Sequence, residues 1–141
     1  MCSSDLKNYV DGGHREAVEI KYDPAVVSYP ELLKTFFRTV DPTDGGGQFC
    51  DRGFAYSTAV YTLDAEQATE AKAASADAAS ALGKKITTEI VAATKFWPAE
   101  DYHQDYHHKN PIRYTYYRTA CGRDRTVEKL WGDQAEYGLT K

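Results

Sequence analysis

The sequence has 141 residues, a formal net charge of −4 and 42% hydrophobic residues. This length and apolar share predict one domain with a single ordinary core. The acidic balance, without a basic stripe, argues against nucleic acid as a partner, and no apolar run reaches the roughly 18 residues that a membrane span needs.

The first residues and the cysteines carry separate signals. Residues 1–6 show no hydrophobic periodicity, and the codons that residues 2–5 can take resemble the end of a sequencing adapter. We therefore expect residues 1–6 to be a non-native leader, and residues 7–141 to be part of a single domain that starts upstream. Cys2, Cys50 and Cys121 form an odd set without metal-ligand spacing, which points away from a disulfide scaffold and toward buried or reactive thiols.

Residues 16–22 alternate between two faces, as a half-buried strand requires. Glu16 leads the apolar row that continues with Val18, Ile20 and Tyr22. Its carboxyl is therefore expected at the core side of the strand end, where lost solvation keeps such a group protonated and ready to donate. The alternative is a glutamate at a solvated strand end.

A helix is predicted to begin at Ser28, because Glu31 follows at the spacing of a capping box. One apolar stripe runs along it to Val40, and residues 41–42, an Asp-Pro pair, end it. After a Gly-rich turn, residues 56–63 alternate as a second strand that places Thr58 and Val60 on the face of Tyr56. Strand, helix and strand predict a βαβ-type unit.

The next helix is predicted from Asp64, its capping residue, to about Leu82, with Gly83 as the stop. Its buried stripe is thin because it consists mostly of alanines. Residues 86–90 read as a third strand. An aromatic corner, residues 96–98, leads into a short helix that begins near Ala99.

In that helix His103 and His107 stand four residues apart on one face, a spacing that can hold a metal, but no third ligand accompanies them, so no metal is assigned. Residues 110–111, an Asn-Pro pair, are expected to break the helix. Residues 114–117 are expected to form an extended or aromatic packing segment. A last short helix in the tail docks through Val127, Leu130 and Trp131.

Four segments in chain order carry a family resemblance. They read GHREAVEIKYDP, then SYPELLKTFF with VDPT, then DRGFAYSTAVY, then ITTEI followed by FWPAEDYHQDY. Together, over about residues 12–131, the sequence resembles the A-class peptide methionine sulfoxide reductases. The resemblance implies an α+β fold, a two-layer sandwich with a ferredoxin-like mixed sheet and helices on one face. The family's N-terminal strands and first helix have no counterpart here, so the sheet is expected to expose edge groups and apolar surface.

The resemblance also implies roles for three residues. Glu16 matches the family's acid, which protonates or hydrogen-bonds the sulfoxide oxygen. Tyr56 matches a tyrosine whose hydroxyl binds that oxygen, and Asp51 matches an aspartate that shapes the substrate site. The motif departs from the family at three positions, with Cys50 in place of Asn, Ala55 in place of Gln and Ser57 in place of Arg.

The family's nucleophile is a cysteine in a Gly-Cys-Phe-Trp motif, and this sequence does not contain that motif. Two other cysteines are candidates for the resolving thiol. Cys121 precedes a helix near two arginines, a setting that lowers the pKa of a thiol, and Cys50 lies in the loop of the site. For each, the alternative is a small buried hydrophobic residue.

The resemblance implies a peptide-methionine (S)-S-oxide reductase that repairs oxidised proteins, present here as a fragment without activity of its own. It implies oxidised proteins, peptides or free methionine sulfoxide as substrates, thioredoxin or another thiol as reductant, no bound cofactor, and a cytoplasmic location. Two other hypotheses stay open. One is a non-catalytic relative that binds methionine sulfoxide, and the other is a ferredoxin-like interaction module, which the acidic charge and the lack of an RNA-binding motif disfavour.

Overall fold

The fold is described by a computed structural model that covers residues 14–96 and 104–139. It combines helices with two small sheets and is therefore α+β. Five α-helices are present in this part of the chain: α1 (Tyr29–Phe37), α2 (Ala65–Leu82), α3 (Tyr106–Lys109), α4 (Pro111–Cys121) and α5 (Arg123–Trp131). The strands are β1 (Gly47–Gln48), β2 (Asp51–Arg52), β3 (Ala59–Thr62) and β4 (Glu89–Ala92), and Phe54–Tyr56 and Gly132–Gln134 are 3₁₀ helices.

The helices α1 and α2 begin where the capping signals predict. The Ser28 side chain accepts a hydrogen bond from the Glu31 backbone N–H at 3.3 Å, and Asp64 accepts one from Gln67 at 2.8 Å. These contacts satisfy backbone donors that lack a partner at a helix start. Helix α2 ends at Leu82, and Gly83 takes the left-handed conformation with φ 63°.

The parallel unit of the fold is β3–α2–β4, in which Val60 pairs with Ile90 and Tyr61 with Val91. Thr58 and Val60 are buried on one face, as the alternation predicts. The Thr58 and Thr88 hydroxyls share a buried hydrogen bond of 2.7 Å just before the two strands. Strand β4 begins three residues later than predicted. The βαβ unit expected around α1 is thus wrong, and the neighbouring strand–helix–strand segment forms one instead.

Residues 16–22 do not form the predicted strand. Val18 is 85% exposed and Ile20 62% exposed, and among the described residues no segment pairs with this stretch as a strand. A strand needs a ladder of hydrogen bonds from a neighbour, so alternation alone does not create one. The mixed sheet is likewise absent from residues 14–96 and 104–139, where β1 and β2 pair antiparallel and β3 and β4 pair parallel in separate sheets.

The C-terminal part of the chain is helical. Pro111 begins α4 instead of only ending a helix, because a proline at the first helical position loses no hydrogen bond. The extended segment expected at residues 114–117 is therefore wrong. The start near Ala99, His103 and most of the aromatic corner lie outside the described residues.

The core lies where α1, α2 and α5 meet β3. The predicted docking of the tail is confirmed, because Val127 and Trp131 are buried and the Trp131 indole N–H donates to the Val40 carbonyl at 3.1 Å. Leu130 packs beside them. None of the helices in the described part of the chain has the length and apolar character that crossing a membrane requires. The buried hydrophobic cluster comprises Leu33, Phe37, Val60, Ala71, Ala78, Val127 and Trp131.

Candidate functional site

The hairpin of β1 and β2 positions Asp51. Gln48 pairs with Asp51 in the antiparallel register, and Gly47 pairs with Arg52. Gly47 has φ 140°, and a Cβ at this position would lie 2.2 Å from the Asp51 carbonyl oxygen, so glycine alone permits the two strands to approach. The loop before β1 is fixed by the Asp44 carboxylate, which accepts two hydrogen bonds from Arg52. These bonds are the main cause of a lowered pKa at Asp44.

Tyr56 lies in the 3₁₀ helix Phe54–Tyr56, and not at the start of a strand as predicted. Gly53 precedes this turn with φ 111°, a conformation that side chains other than glycine rarely adopt. The Tyr56 N–H donates to the Gly53 carbonyl at 3.1 Å, and Ala55 is buried beside it. The tight turn points successive side chains in different directions, so Ala55 enters the core while Tyr56 stays half-buried.

Glu16 is attached to the same turn through its backbone. Its N–H donates to the Ala55 carbonyl at 2.8 Å. The side chain is exposed, as the alternative of a solvated position predicts, and the core-facing orientation is wrong. Among the described residues, no strand pairs with this extended segment to bury that face.

Arg15, the residue before Glu16, anchors the segment. Its guanidinium is buried, donates to the Ser57 hydroxyl at 2.9 Å and to the Tyr61 hydroxyl at 3.2 Å, and forms an ion pair with Glu89 at 2.9 Å. It also lies over the Phe54 ring at 4.2 Å. A buried arginine with this many partners fixes the backbone next to it.

Tyr117 of α4 connects the three predicted site residues. Its hydroxyl donates to Asp51 Oδ1. This hydrogen bond raises the pKa of Tyr117 to about 12, with burial as the second cause and the charges of Asp51, Tyr56 and Glu16 as further ones. Asp51 is thus the direct partner of this hydroxyl, and Glu16 and Tyr56, which come from two other segments, act on its pKa through their charges.

Cys50 and Cys121 form a disulfide, with 5.3 Å between their Cα atoms and a sequence separation of 71. The expectation of unpaired thiols is thus wrong for this pair. Cys50 is exposed and Cys121 is half-buried, so neither acts as a fully buried hydrophobic residue. The bond lies next to Asp51, at the edge of the site.

Of the two histidines that the sequence singled out, His107 lies in α3, and His103 is outside the described residues. Asp105, His107 and His108 form an exposed group whose ligand-type atoms lie within 4.8 Å of one another. Both histidines form ion pairs with Asp105 when protonated, at 3.7 Å from His107 and 3.0 Å from His108.

Sequence reasoning missed two residues of the site, Arg15 and Tyr117. Arg15 stands directly before the predicted acid, and a cation that adjoins a segment expected to be half-buried is a signal that it needs partners. No local pattern marks Tyr117 among its neighbours Tyr114 and Tyr116. Its partner Asp51 lies 66 residues away, so only the tertiary structure identifies it.

Comparison with known proteins shows one consistent relationship. Residues 7–135 match the family described as peptide methionine sulfoxide reductase. The chain is 60% identical over 134 residues to peptide methionine sulfoxide reductase MsrA 2 of Rhizobium meliloti, covering 95% of this chain and 68% of that protein. It is 46% identical over 126 residues to peptide methionine sulfoxide reductase MsrA of Bacillus licheniformis, covering 85% of this chain and 67% of that protein.

A similar solved structure is methionine sulfoxide reductase A of Corynebacterium diphtheriae. The TM-score is 0.66 at 36% sequence identity, and the match covers 76% of this chain and 57% of that one. The chain thus spans about two thirds of the length of these sequence relatives and somewhat more than half of this solved structure.

Proposed function

Because the chain belongs to the peptide methionine sulfoxide reductase family, we propose that it serves the thiol-dependent reduction of methionine (S)-sulfoxide in oxidised proteins and peptides. Its part is to bind the sulfoxide group and hydrogen-bond or protonate the oxygen. The observation that carries this proposal is that the Glu16 backbone is hydrogen-bonded to Ala55, the neighbour of Tyr56, while Asp51 accepts from the Tyr117 hydroxyl, whose pKa responds to all three residues. An acid, a phenol and a carboxylate suit a polar S=O group.

The proposed reaction needs hydrogen-bond donors at the sulfoxide oxygen and thiols that react at the sulfur. A cysteine thiolate attacks the sulfoxide sulfur while the oxygen takes up a proton, which yields methionine and a cysteine sulfenic acid. Glu16 and Tyr56 supply the hydrogen bonds and the proton at the oxygen, and Asp51 shapes the substrate site. A second thiol then attacks the sulfenic acid, forming a disulfide and releasing water, and a thioredoxin-type dithiol reduces this disulfide.

Cys50 and Cys121 fit the thiol side of this cycle once a dithiol has reduced the bond between them, with Cys121 or Cys50 then free to act as the resolving thiol. Their disulfide is next to Asp51, and Cys50 is exposed, so a dithiol can reach one of its two sulfur atoms. The nucleophile belongs to a Gly-Cys-Phe-Trp motif that this sequence does not contain, and we propose that this polypeptide has no turnover by itself.

The test is reduction of a methionine sulfoxide peptide with dithiothreitol. We expect no turnover by the 141-residue chain, and turnover when the segment bearing the Gly-Cys-Phe-Trp motif of the Rhizobium meliloti relative is joined upstream. In that longer protein, Glu16→Gln is expected to lower the rate roughly 100-fold, the usual contribution of a positioned acid. Glu19→Gln, at another exposed position of the same segment, is the matched control and should keep the full rate. Equal rates for the two variants would contradict the role of Glu16.

The absence of the nucleophile motif favours a second candidate, a non-catalytic protein that binds methionine sulfoxide. Calorimetry of the 141-residue chain with a sulfoxide peptide distinguishes it. The binding protein would be favoured by two results together. The 141-residue chain would bind the peptide saturably and lose this binding with Glu16→Gln, and the extended protein would show no turnover. Turnover by the extended protein would favour the reductase.

A further inference from the structure

Helix α4 holds the β1–β2 hairpin through two adjacent residues, Cys50 and Asp51. Tyr117 donates its hydroxyl hydrogen bond to Asp51, and Cys121 forms the disulfide with Cys50. Tyr117 and Cys121 are four residues apart and therefore lie on the same face of the helix. One face of α4 thus makes a polar and a covalent contact with residues 50 and 51.

A third contact extends this attachment to Phe49. The Arg123 guanidinium lies 4.4 Å from the centre of the Phe49 ring, and its Nη1 donates to the Thr39 carbonyl at 3.1 Å. Phe49 has φ 53°, an uncommon conformation for an aromatic residue, which persists only where the surroundings impose it. Three consecutive loop residues, 49 to 51, are therefore each held by the C-terminal half of the chain.

We propose that Tyr117 is a positioning residue, which orients the Asp51 carboxylate for binding the substrate. This inference rests on the proposed function of Asp51. A carboxylate has two oxygens, and the Tyr117 hydroxyl engages Oδ1; we assign Oδ2 to a donor group of the substrate. Without this donor, the carboxylate can rotate about χ2, a torsion with a broad range of values in aspartate. Each binding event then has to fix the orientation of the carboxylate, which costs affinity.

The raised pKa of Tyr117 fits this role. Because the pKa is about 12, the hydroxyl keeps its proton and remains a donor throughout the neutral and mildly alkaline range. The disulfide already joins α4 to the loop, so a second attachment is not needed to hold the helix. The Tyr117 hydrogen bond therefore has another use, which is to orient the Asp51 carboxylate.

The experiment measures binding of a peptide with one methionine sulfoxide to the oxidised 141-residue chain by calorimetry. We expect Tyr117→Phe to weaken binding about tenfold, since a hydrogen bond to a charged group is lost. Tyr116→Phe is the matched control, because Tyr116 is the neighbouring residue of the same helix and is 77% exposed. It should bind as the unsubstituted chain does.

A double-mutant cycle separates positioning from a structural role. If Tyr117 acts through Asp51, Tyr117→Phe should have no further effect on affinity in an Asp51→Asn background. Independent effects that multiply would overturn the inference, as would unchanged affinity of Tyr117→Phe, and in both cases the proposed function stands. No saturable binding by the unsubstituted chain would overturn the role of the site itself and the inference with it.

Discussion

At the scale of residues, the contact between Tyr117 and Asp51 joins helix α4 to a residue of the candidate site. It joins residues 66 positions apart, and the charges of Glu16 and Tyr56 act on the same hydroxyl. A neutral phenol donates to the carboxylate, whereas a phenolate would face it as a like charge. The pKa of Tyr117 is therefore raised from its ordinary value of 10 to about 12.

This shift predicts the alkaline behaviour of the protein. Asp51→Asn should bring the pKa of Tyr117 back toward 10, which an ultraviolet difference titration against the same protein with Tyr117→Phe detects. The folded state holds a proton that the unfolded chain releases, so the stabilisation is complete below pH 10 and is lost as the pH rises toward 12. An unchanged titration in Asp51→Asn would show that the hydrogen bond does not set this pKa.

At the scale of elements, α2 shows how local chemistry fixes a boundary. The helix is capped by Asp64 and stopped by Gly83, and its buried residues Ala71 and Ala78 let it approach the strands closely. Small side chains contribute little apolar burial. The ends of the helix therefore matter for its stability as much as its buried face.

Gly83→Ala tests this directly. No atom lies within 4 Å of a Cβ added at Gly83, so the cost comes only from the left-handed backbone, and we expect a loss of about 1 kcal/mol in the free energy of unfolding. Gly45→Ala is the control, because its Cβ would meet the Thr87 side chain at 3.4 Å without a left-handed backbone. It should change the free energy of unfolding by less than about 0.5 kcal/mol. Denaturant titration measures both, and equal losses would contradict the explanation.

At the scale of the whole molecule, the disulfide joins the two halves of the chain. It links the loop after β1 to the end of α4 across 71 residues. Around it, Arg118 connects α4 to α5 through Asp124 at 2.5 Å and to Glu136 at 2.8 Å. The hydrogen bond from Arg118 is the main cause of a lowered pKa at Asp124.

Loss of the disulfide should destabilise the protein as a whole. A loop of this length limits the entropy of the unfolded chain by an amount worth roughly 4 kcal/mol, so reduction should lower the melting temperature clearly. It should also weaken binding of the sulfoxide peptide, because α4 loses its covalent link to Cys50, the neighbour of Asp51. The double variant Cys50→Ser with Cys121→Ser is the control, and reductant should leave its melting temperature unchanged. If reductant left the melting temperature of the unsubstituted chain unchanged, the prediction would be contradicted.

The sequence predicted the parts of the fold that depend on near neighbours. Ser28 and Asp64 start their helices, Gly83 ends one, and the alternation of Thr58 and Val60 gives the buried face of β3. The family relationship also followed from four short segments. Residues 16–22 mark the limit of this approach, since their alternation is typical of a strand but Val18 and Ile20 are exposed without a pairing partner in the described chain.

By itself the sequence determined helix ends, strand faces and the docking of Trp131, and its resemblance to a family singled out Glu16, Asp51 and Tyr56 as candidate site residues. Capping, turn chemistry and periodicity act over a few residues, so the sequence carries them directly. Only the tertiary structure decided that Tyr117 binds Asp51, that Cys50 bonds to Cys121 and that Arg15 anchors the segment of Glu16. These contacts join positions 42 to 71 residues apart, and their formation depends on how the whole core packs.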